Sequence, residues 1–498
     1  MRGNPLNEEF EKLVQKTLDL WHVPGIAVAV VDGDNTWAQG YGVASFPSTP
    51  VTPSTLFYAG STTKAFTSAI MATLVEDNET YPHVQWDTPI SDLIRDDFVL
   101  ENSYATEHVT IEDALSHRTG LPSHDAAYGN RLSRDVAARE MVRQLRHLPL
   151  TAEPRTQYQY CNLMFVAASH VIQTLTGEWL GDSLAHRIWE PLRMTATFFS
   201  REDALSAKED LARGYSYSPE KGFKEVEWMP LDEISGAGSV ITNVLDYAKW
   251  ARALINREKP LSEETYKAIW EPRTLIPHQA PFTGPLSYAL GWQIGVYKGV
   301  QFYEHSGGMN AFGAELILIP ELKYSVTILG NTALTSNCVS HTLAFHLIDE
   351  KLDVPPEKRF DWNQRDLNTI KAEREKNINS IQRFYPNLPS PTLPTAVSLQ
   401  KYTGTYFHPG YQKVDIYLDK SSGVLRADRE DTTWPEYMSF EHVSGEYFVI
   451  KSEHEGDYGA FFPETYPAEF RVGTDGNPYE LGIGWNKQMK EKIWLKRI

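Results

Sequence analysis

Three short motifs in this chain carry residue types that can do chemistry. The first, Ser61-Thr62-Thr63-Lys64, sets a hydroxyl and an amine three residues apart. A serine hydroxyl attacks a carbonyl only when a neighbouring base takes its proton. Positions i and i+3 share one face of a helix, so a helix starting here brings Lys64 beside Ser61. A lysine of pKa ~10.4 is protonated at neutral pH and serves as a base only where burial or nearby positive charge lowers that value. The free N–H groups of a helix N-terminus can also hold an oxyanion beside the serine. The plainer alternative is a capping serine next to a solvated lysine. S-x-x-K recurs at Ser218 and Ser398, but only Ser61 follows a strand-like run and a Gly60 turn into a helix.

The second motif, Tyr160-Cys161-Asn162, precedes an apolar helical stretch from Leu163 to Leu175. Tyr160 can relay a proton between nucleophile and leaving group if neighbouring cations hold its pKa down. Asn162 can hold a substrate carbonyl or orient Lys64, or it can simply cap the helix that follows. Y-x-N recurs at Tyr128-Gly129-Asn130 and Tyr385-Pro386-Asn387. Cys161 reads as a small buried residue. The third motif, His305-Ser306-Gly307-Gly308, ends a strand predicted over Val300 to Glu304. Its glycines let a substrate backbone approach closely, and the Gly308 N–H is a candidate second oxyanion donor. H-x-G also occurs at His408 and His454, and a histidine before a Gly-Gly turn is otherwise an ordinary surface residue.

Several elements must position these groups. Ile26 to Val31 and Thr36 to Gly42 flank Asp32-Gly33-Asp34-Asn35 and read as strand, turn, strand. After Ser61, the spacing of Phe66, Ile70, Leu74 and of Met71, Val75 predicts a helix with one buried stripe. Glu315 to Ile319 and Tyr324 to Leu329 form a predicted hairpin around Pro320-Glu-Leu-Lys. The organisation expected is a catalytic domain over 1–355, a helical and Pro-rich linker over 356–397, and a small β-barrel over 398–498. Loops such as Ser123 to Arg131 and Arg213 to Asp232 are expected to line the pocket. The tail is expected to cover its mouth.

Taken in this order, the three motifs resemble the active-site motifs of the serine β-lactamase and penicillin-binding protein superfamily. The likeness is to the class C-like branch, with its esterases, D-aminopeptidases, DD-peptidases and acyltransferases. Val23 to Asp32 is similar to that family's opening strand, Val109 to Pro122 to its "T-I-x-D-L-L-x-H-x-S-G-L-P" stretch, and Gly236 to Trp250 to a Gly-rich turn plus helix. The resemblance spans roughly residues 8 to 350. It implies an α/β (α+β) fold of the β-lactamase/transpeptidase type, an antiparallel sheet flanked by helices with an all-α subdomain. The tail is similar to the lipocalin-like barrel some members carry.

The resemblance also implies a mechanism. Ser61 forms an acyl-enzyme, Lys64 and Tyr160 share base and acid duties, and the Ser61 and Gly308 N–H groups make the oxyanion hole. Asn162, His305, Ser306 and Gly307 complete the substrate-binding set. The family's third motif is often K-T-G, whose lysine holds a substrate carboxylate; here His305 stands in its place, a weaker and pH-dependent cation. Esters, or amides without a terminal carboxylate, are favoured over true β-lactam or DD-carboxypeptidase substrates. Acyl transfer from the same intermediate, or a binding protein on an inactive scaffold with an apolar ligand in its barrel, are the alternatives.

Composition bounds the partners. With 498 residues, 47 Lys+Arg against 65 Asp+Glu and a net charge of −18, the surface repels nucleic acid and anionic membranes. A small molecule or peptide substrate is expected instead, met at a cationic spot built from Lys64 and His305. Two cysteines build no disulfide framework, and no motif calls for a metal or a cofactor. The absence of a signal-peptide-like stretch near Met1 points to a cytoplasmic location. Oligomeric state stays open.

Overall fold

The computed structural model describes residues 3–129, 132–454 and 464–498. Asn130, Arg131 and Gly456 lie outside the described residues.

A strand whose residues are nearly all apolar must be covered on both faces. Gly25–Asp32 is such a strand, and it lies inside a nine-stranded antiparallel sheet among the described residues. Its neighbours are Asn35–Ser45 on one side and Tyr324–Gly330 on the other; Phe312–Ile319 and Val300–Met309 follow outward. Successive residues alternate between two cores, as the period of two demands. Ala27, Ala29 and Val31 join the larger core, while Ile26, Val28 and Val30 join the second.

The second core lies under Glu8–Trp21, Thr335–Lys351 and Trp362–Ile378, with Phe10, Val14, Phe345 and Trp362 as its bulk. The polar stretch expected to be linker thus contributes Trp362, stacked on Phe345 at 4.2 Å between centroids. The larger core holds Thr63–Glu76, Asn162–Thr176 and Val244–Asn256. From Thr63 to Leu205 the described residues form helices and connections without a named strand, the expected all-α subdomain.

The helix after Ser61 departs from the single buried stripe read in the sequence. Thr63 to Ala72 are all buried, Lys64 among them, because other helices and the sheet enclose it on every side. Small and hydroxylated residues fill the faces that the periodicity assigned to water. The strand bearing the third motif also differs. It continues through His305 to Met309, since Phe312–Ile319 pairs with it in register as far as Met309↔Phe312.

The tail is a closed barrel of eight antiparallel strands in sequence order, from Gly404–His408 to Ile493–Arg497. Its interior is filled by Tyr402, Tyr406, Phe440, Phe448 and Phe470, whose rings pack edge-on or tilted. An apolar ligand in the barrel, considered from the sequence, has those rings in its way. Among the described residues no helix is long and apolar enough to cross a membrane.

Phe66 on the central helix stacks on Trp250 at 4.6 Å and has no exposed surface. Phe66→Ala is expected to cost about 3–5 kcal/mol of stability, read as a lower urea midpoint at unchanged m-value.

Candidate active site

Ser61 sits in the middle of a 3-10 turn, Gly60–Thr62, that leads into Thr63–Glu76. Gly60 takes φ +52, and a Cβ there would meet the Gly308 nitrogen at 2.8 Å. A glycine is therefore required for both backbone conformation and space. The same close approach brings the first and third motifs together: a Cβ on Gly307 would lie 2.0 Å from the Ala59 carbonyl.

Lys64 points its Nζ at three oxygens. They are Ser61 Oγ at 3.0 Å, Asn162 Oδ1 at 2.7 Å and the Ala237 carbonyl at 2.8 Å. Burial lowers its pKa to about 7, against the opposing charge of Asp125. The neutral amine then fits this surrounding closely. Asn162 Oδ1 and the Ala237 carbonyl can only accept, so they take its two hydrogens, and the lone pair is left for the Ser61 hydroxyl to donate into. The solvated lysine of the plainer reading is ruled out by this burial.

Asn162 does not cap its helix. The N-cap is Cys161, without a side-chain capping bond, and Asn162 is the first helical residue of Asn162–Thr176. Its amide instead bridges Lys64 and Asp125, donating from Nδ2 to Asp125 Oδ1 at 3.2 Å. Tyr160 lies beside Ser61, and its ring is 4.8 Å from Lys64 Nζ. The expectation that neighbouring cations hold its pKa down is corrected here. Burial pushes the phenol well above its ordinary value, and the neighbouring His117 ring, itself held neutral by burial, supplies no cation to oppose it. Tyr160 is therefore a neutral phenol.

His305 also departs from expectation. It is buried, its Nε2 faces the Tyr288 hydroxyl at 2.7 Å, and its Nδ1 faces the Ser306 carbonyl at 2.6 Å. A carbonyl only accepts, so Nδ1 carries the hydrogen and Nε2 accepts from Tyr288. Burial, with Lys64 nearby, lowers its pKa to about 3. The cationic spot expected from Lys64 and His305 shrinks to Lys64 alone, which is only partly protonated near pH 7, while His305 is neutral. Strand alternation sets the Ser306 side chain on the face opposite His305, so Ser306 contributes its carbonyl. Gly308 is exposed, and a Cβ there would meet nothing within 4 Å.

Three groups escaped the motif reading. The Ala237 carbonyl belongs to a turn, Ser235–Ala237, held by Thr67 Oγ1 donating to Gly236 and by Gly236 N donating to Ser169 Oγ. A Cβ on Gly236 would lie 2.4 Å from Ser169 Oγ, so the Gly-rich stretch was its only signal. His117 accepts from the Cys161 N–H at 3.1 Å and thereby fixes the segment carrying Tyr160. Asp125 had no signal beyond its place in a loop expected to line the pocket.

That loop is where the barrel meets the body. Tyr411 Oη lies 2.6 Å from His124 Nδ1, Asn486 Nδ2 donates to Ser123 Oγ at 3.3 Å, and Trp434 packs edge-on against Tyr128.

Residues 10–345 match the family model described as Beta-lactamase, and residues 388–497 match one described as a domain of unknown function. The chain belongs to the β-lactamase family and is a hydrolase of that family. It is 47% identical to unguisins hydrolase ungD' of Aspergillus campestris, over 99% of this chain and 92% of that protein. It is 42% identical to unguisins hydrolase ungD of Aspergillus violaceofuscus, over 100% of this chain and 91% of that one. Among solved structures, the octameric penicillin-binding protein homologue of Pyrococcus abyssi shares the fold, with a TM-score of 0.63 at 21% identity, over 98% of this chain and 99% of that one.

The position of Lys64 is directly measurable. In a 13C-lysine NMR titration, one lysine Cε resonance is expected to titrate near pH 7, well below the ordinary 10.5, and to vanish in Lys64→Met.

Proposed function

We propose that the chain is a serine hydrolase that forms an acyl-enzyme at Ser61 and cleaves an ester or amide, with unguisins as its substrates. The observation that carries the chemistry is the Lys64 amine held between two acceptor oxygens with its lone pair facing Ser61. The substrate rests on the printed names of the two relatives at 47% and 42% identity, each matched over nearly its whole length.

The steps follow from the groups present. The Ser61 proton passes to Lys64 as Oγ bonds the carbonyl carbon. The tetrahedral oxyanion accepts from the Ser61 and Gly308 N–H groups. Tyr160, neutral and beside Ser61, gives its proton to the leaving group and regains one from Lys64. Water repeats the sequence on the acyl carbon and frees the acid. Asn162 steers both Lys64 and the substrate amide. A neutral His305 leaves no strong cation in the third motif, which disfavours substrates that need a carboxylate clamp there.

A fluorophosphonate probe is expected to add mass at Ser61. Ser61→Ala should abolish both labelling and hydrolysis of an unguisin or a p-nitrophenyl ester; unchanged turnover would overturn the reading. Because the neutral amine is the base, kcat/KM should rise with pH through about 7 as Lys64 loses its proton. Tyr160→Phe is expected to lower kcat by roughly 10²–10⁴ while Ser61 stays in place.

A further inference from the structure

Arg429 lies in the barrel, almost wholly buried, and pairs with Glu436 at 2.8 Å. Glu436 also accepts from Ser452 at 2.7 Å and from the Trp485 indole at 3.3 Å. A buried ion pair is a poor source of stability, since desolvation offsets most of the attraction. This one has a further cost, because Arg429 Nε finds no hydrogen-bond partner among the described residues. Its Nη2 explains the orientation. It donates to the barrel's own Tyr411 carbonyl at 2.8 Å and, across to the catalytic body, to the Ala126 carbonyl at 2.9 Å.

Ala126 follows Asp125 in the short turn Asp125–Ala127. Asp125 keeps solvent-accessible surface although protein surrounds it, and its Oδ1 takes the Asn162 amide. A continuous chain of contacts therefore runs from the barrel to the nucleophile: Arg429, the Ala126 backbone, Asp125, Asn162, Lys64 and Ser61. We propose that Arg429 is a positioning residue of the active site, whose hold on the Ala126 carbonyl keeps Asp125 braced against the Asn162 amide and so orients Lys64. On this account the barrel belongs to the working hydrolase and is more than an appendage. The inference rests on the acyl-enzyme reading above.

The readout is the acidic limb of kcat/KM. The titratable groups facing Lys64 are Asp125, Cys161, Tyr160, His117 and His305, and Asp125 is the one that Arg429 governs. Burial and the facing Glu464 push the Asp125 carboxyl up while Asn162, Lys64 and Ser123 hold it down; its anion favours the ammonium, so letting the loop recede lowers the limb.

The intact chain is assayed with p-nitrophenyl acetate, with rates expressed per fluorophosphonate-labelled site. Arg429→Lys keeps the charge beside Glu436 but cannot span two carbonyls and a carboxylate. It is expected to move the limb to lower pH, in the same sense as Asp125→Asn, and to reduce kcat per labelled site by ~10-fold or more. In the Asp125→Asn background it should move the limb no further. Arg429→Met with Glu436→Leu replaces the pair by apolar groups that the barrel tolerates, and should give the same shift if the single variant misfolds. A limb that stays at the wild-type pH in both variants, or shifts that add fully in the double variant, overturns the proposal. Undiminished turnover in Ser61→Ala would instead remove the hydrolase reading on which it rests.

Discussion

The constraint on which this structure turns is a primary amine held away from water. Lys64 can be a base only if its proton is insecure, and the protein makes it so by enclosing the whole central helix. That enclosure is unfavourable for folding. An unfolded chain takes up the Lys64 proton below about 10.5, whereas the folded chain takes it up only below about 7. Between those values each pH unit lowers stability by about 1.4 kcal/mol as the pH falls. Two large cores offset this, and the same burial gives the amine its chemistry.

Much of the remaining architecture follows from what the amine needs beside it. Two oxygens that can only accept must take its hydrogens, and they come from elements far apart in sequence, Asn162 and Ala237. Each is fixed by further bonds, Asn162 through Asp125 and the Ala237 turn through Thr67 and Ser169. Gly60, Gly236 and Gly307 sit where any side chain would force these segments apart. The neutrality of His305 follows from the same logic. A second cation close to Lys64 would raise the cost of any charge there, and Tyr288 and the Ser306 carbonyl satisfy the imidazole without a proton to spare.

Where local pattern was strong, the chain was readable. The strands read from Ile26 and from Glu315 lie within Gly25–Asp32 and Phe312–Ile319, and the helix after Asn162 and the barrel at the tail lie where apolar runs, periodicity and glycine punctuation put them. The reading failed where tertiary cover overrides local polarity. Thr63, Thr67 and Ser68 look like a solvated helix face but are buried, because neighbouring segments supply partners for Thr63 and Thr67. The strand carrying His305 runs on through two glycines because a partner strand continues beside it. Asn162 looks like a cap, and its side chain goes elsewhere because Lys64 donates to its Oδ1 and Asp125 accepts from its Nδ2, whereas a helix start offers only N–H donors.

The motifs at Ser61, Tyr160 and His305, in that order, were enough to name the family and a hydrolase, since the hydroxyl, amine and phenol of such a set are matters of residue type. Residue type cannot say what state those groups are in. Protonation depends on how many protein atoms displace water and on which oxygens face each nitrogen, and both are set by segments hundreds of residues apart. Only the folded chain lets Lys64 lose its proton near neutral pH, leaves His305 uncharged and joins the barrel through Arg429 to the loop that carries Asp125.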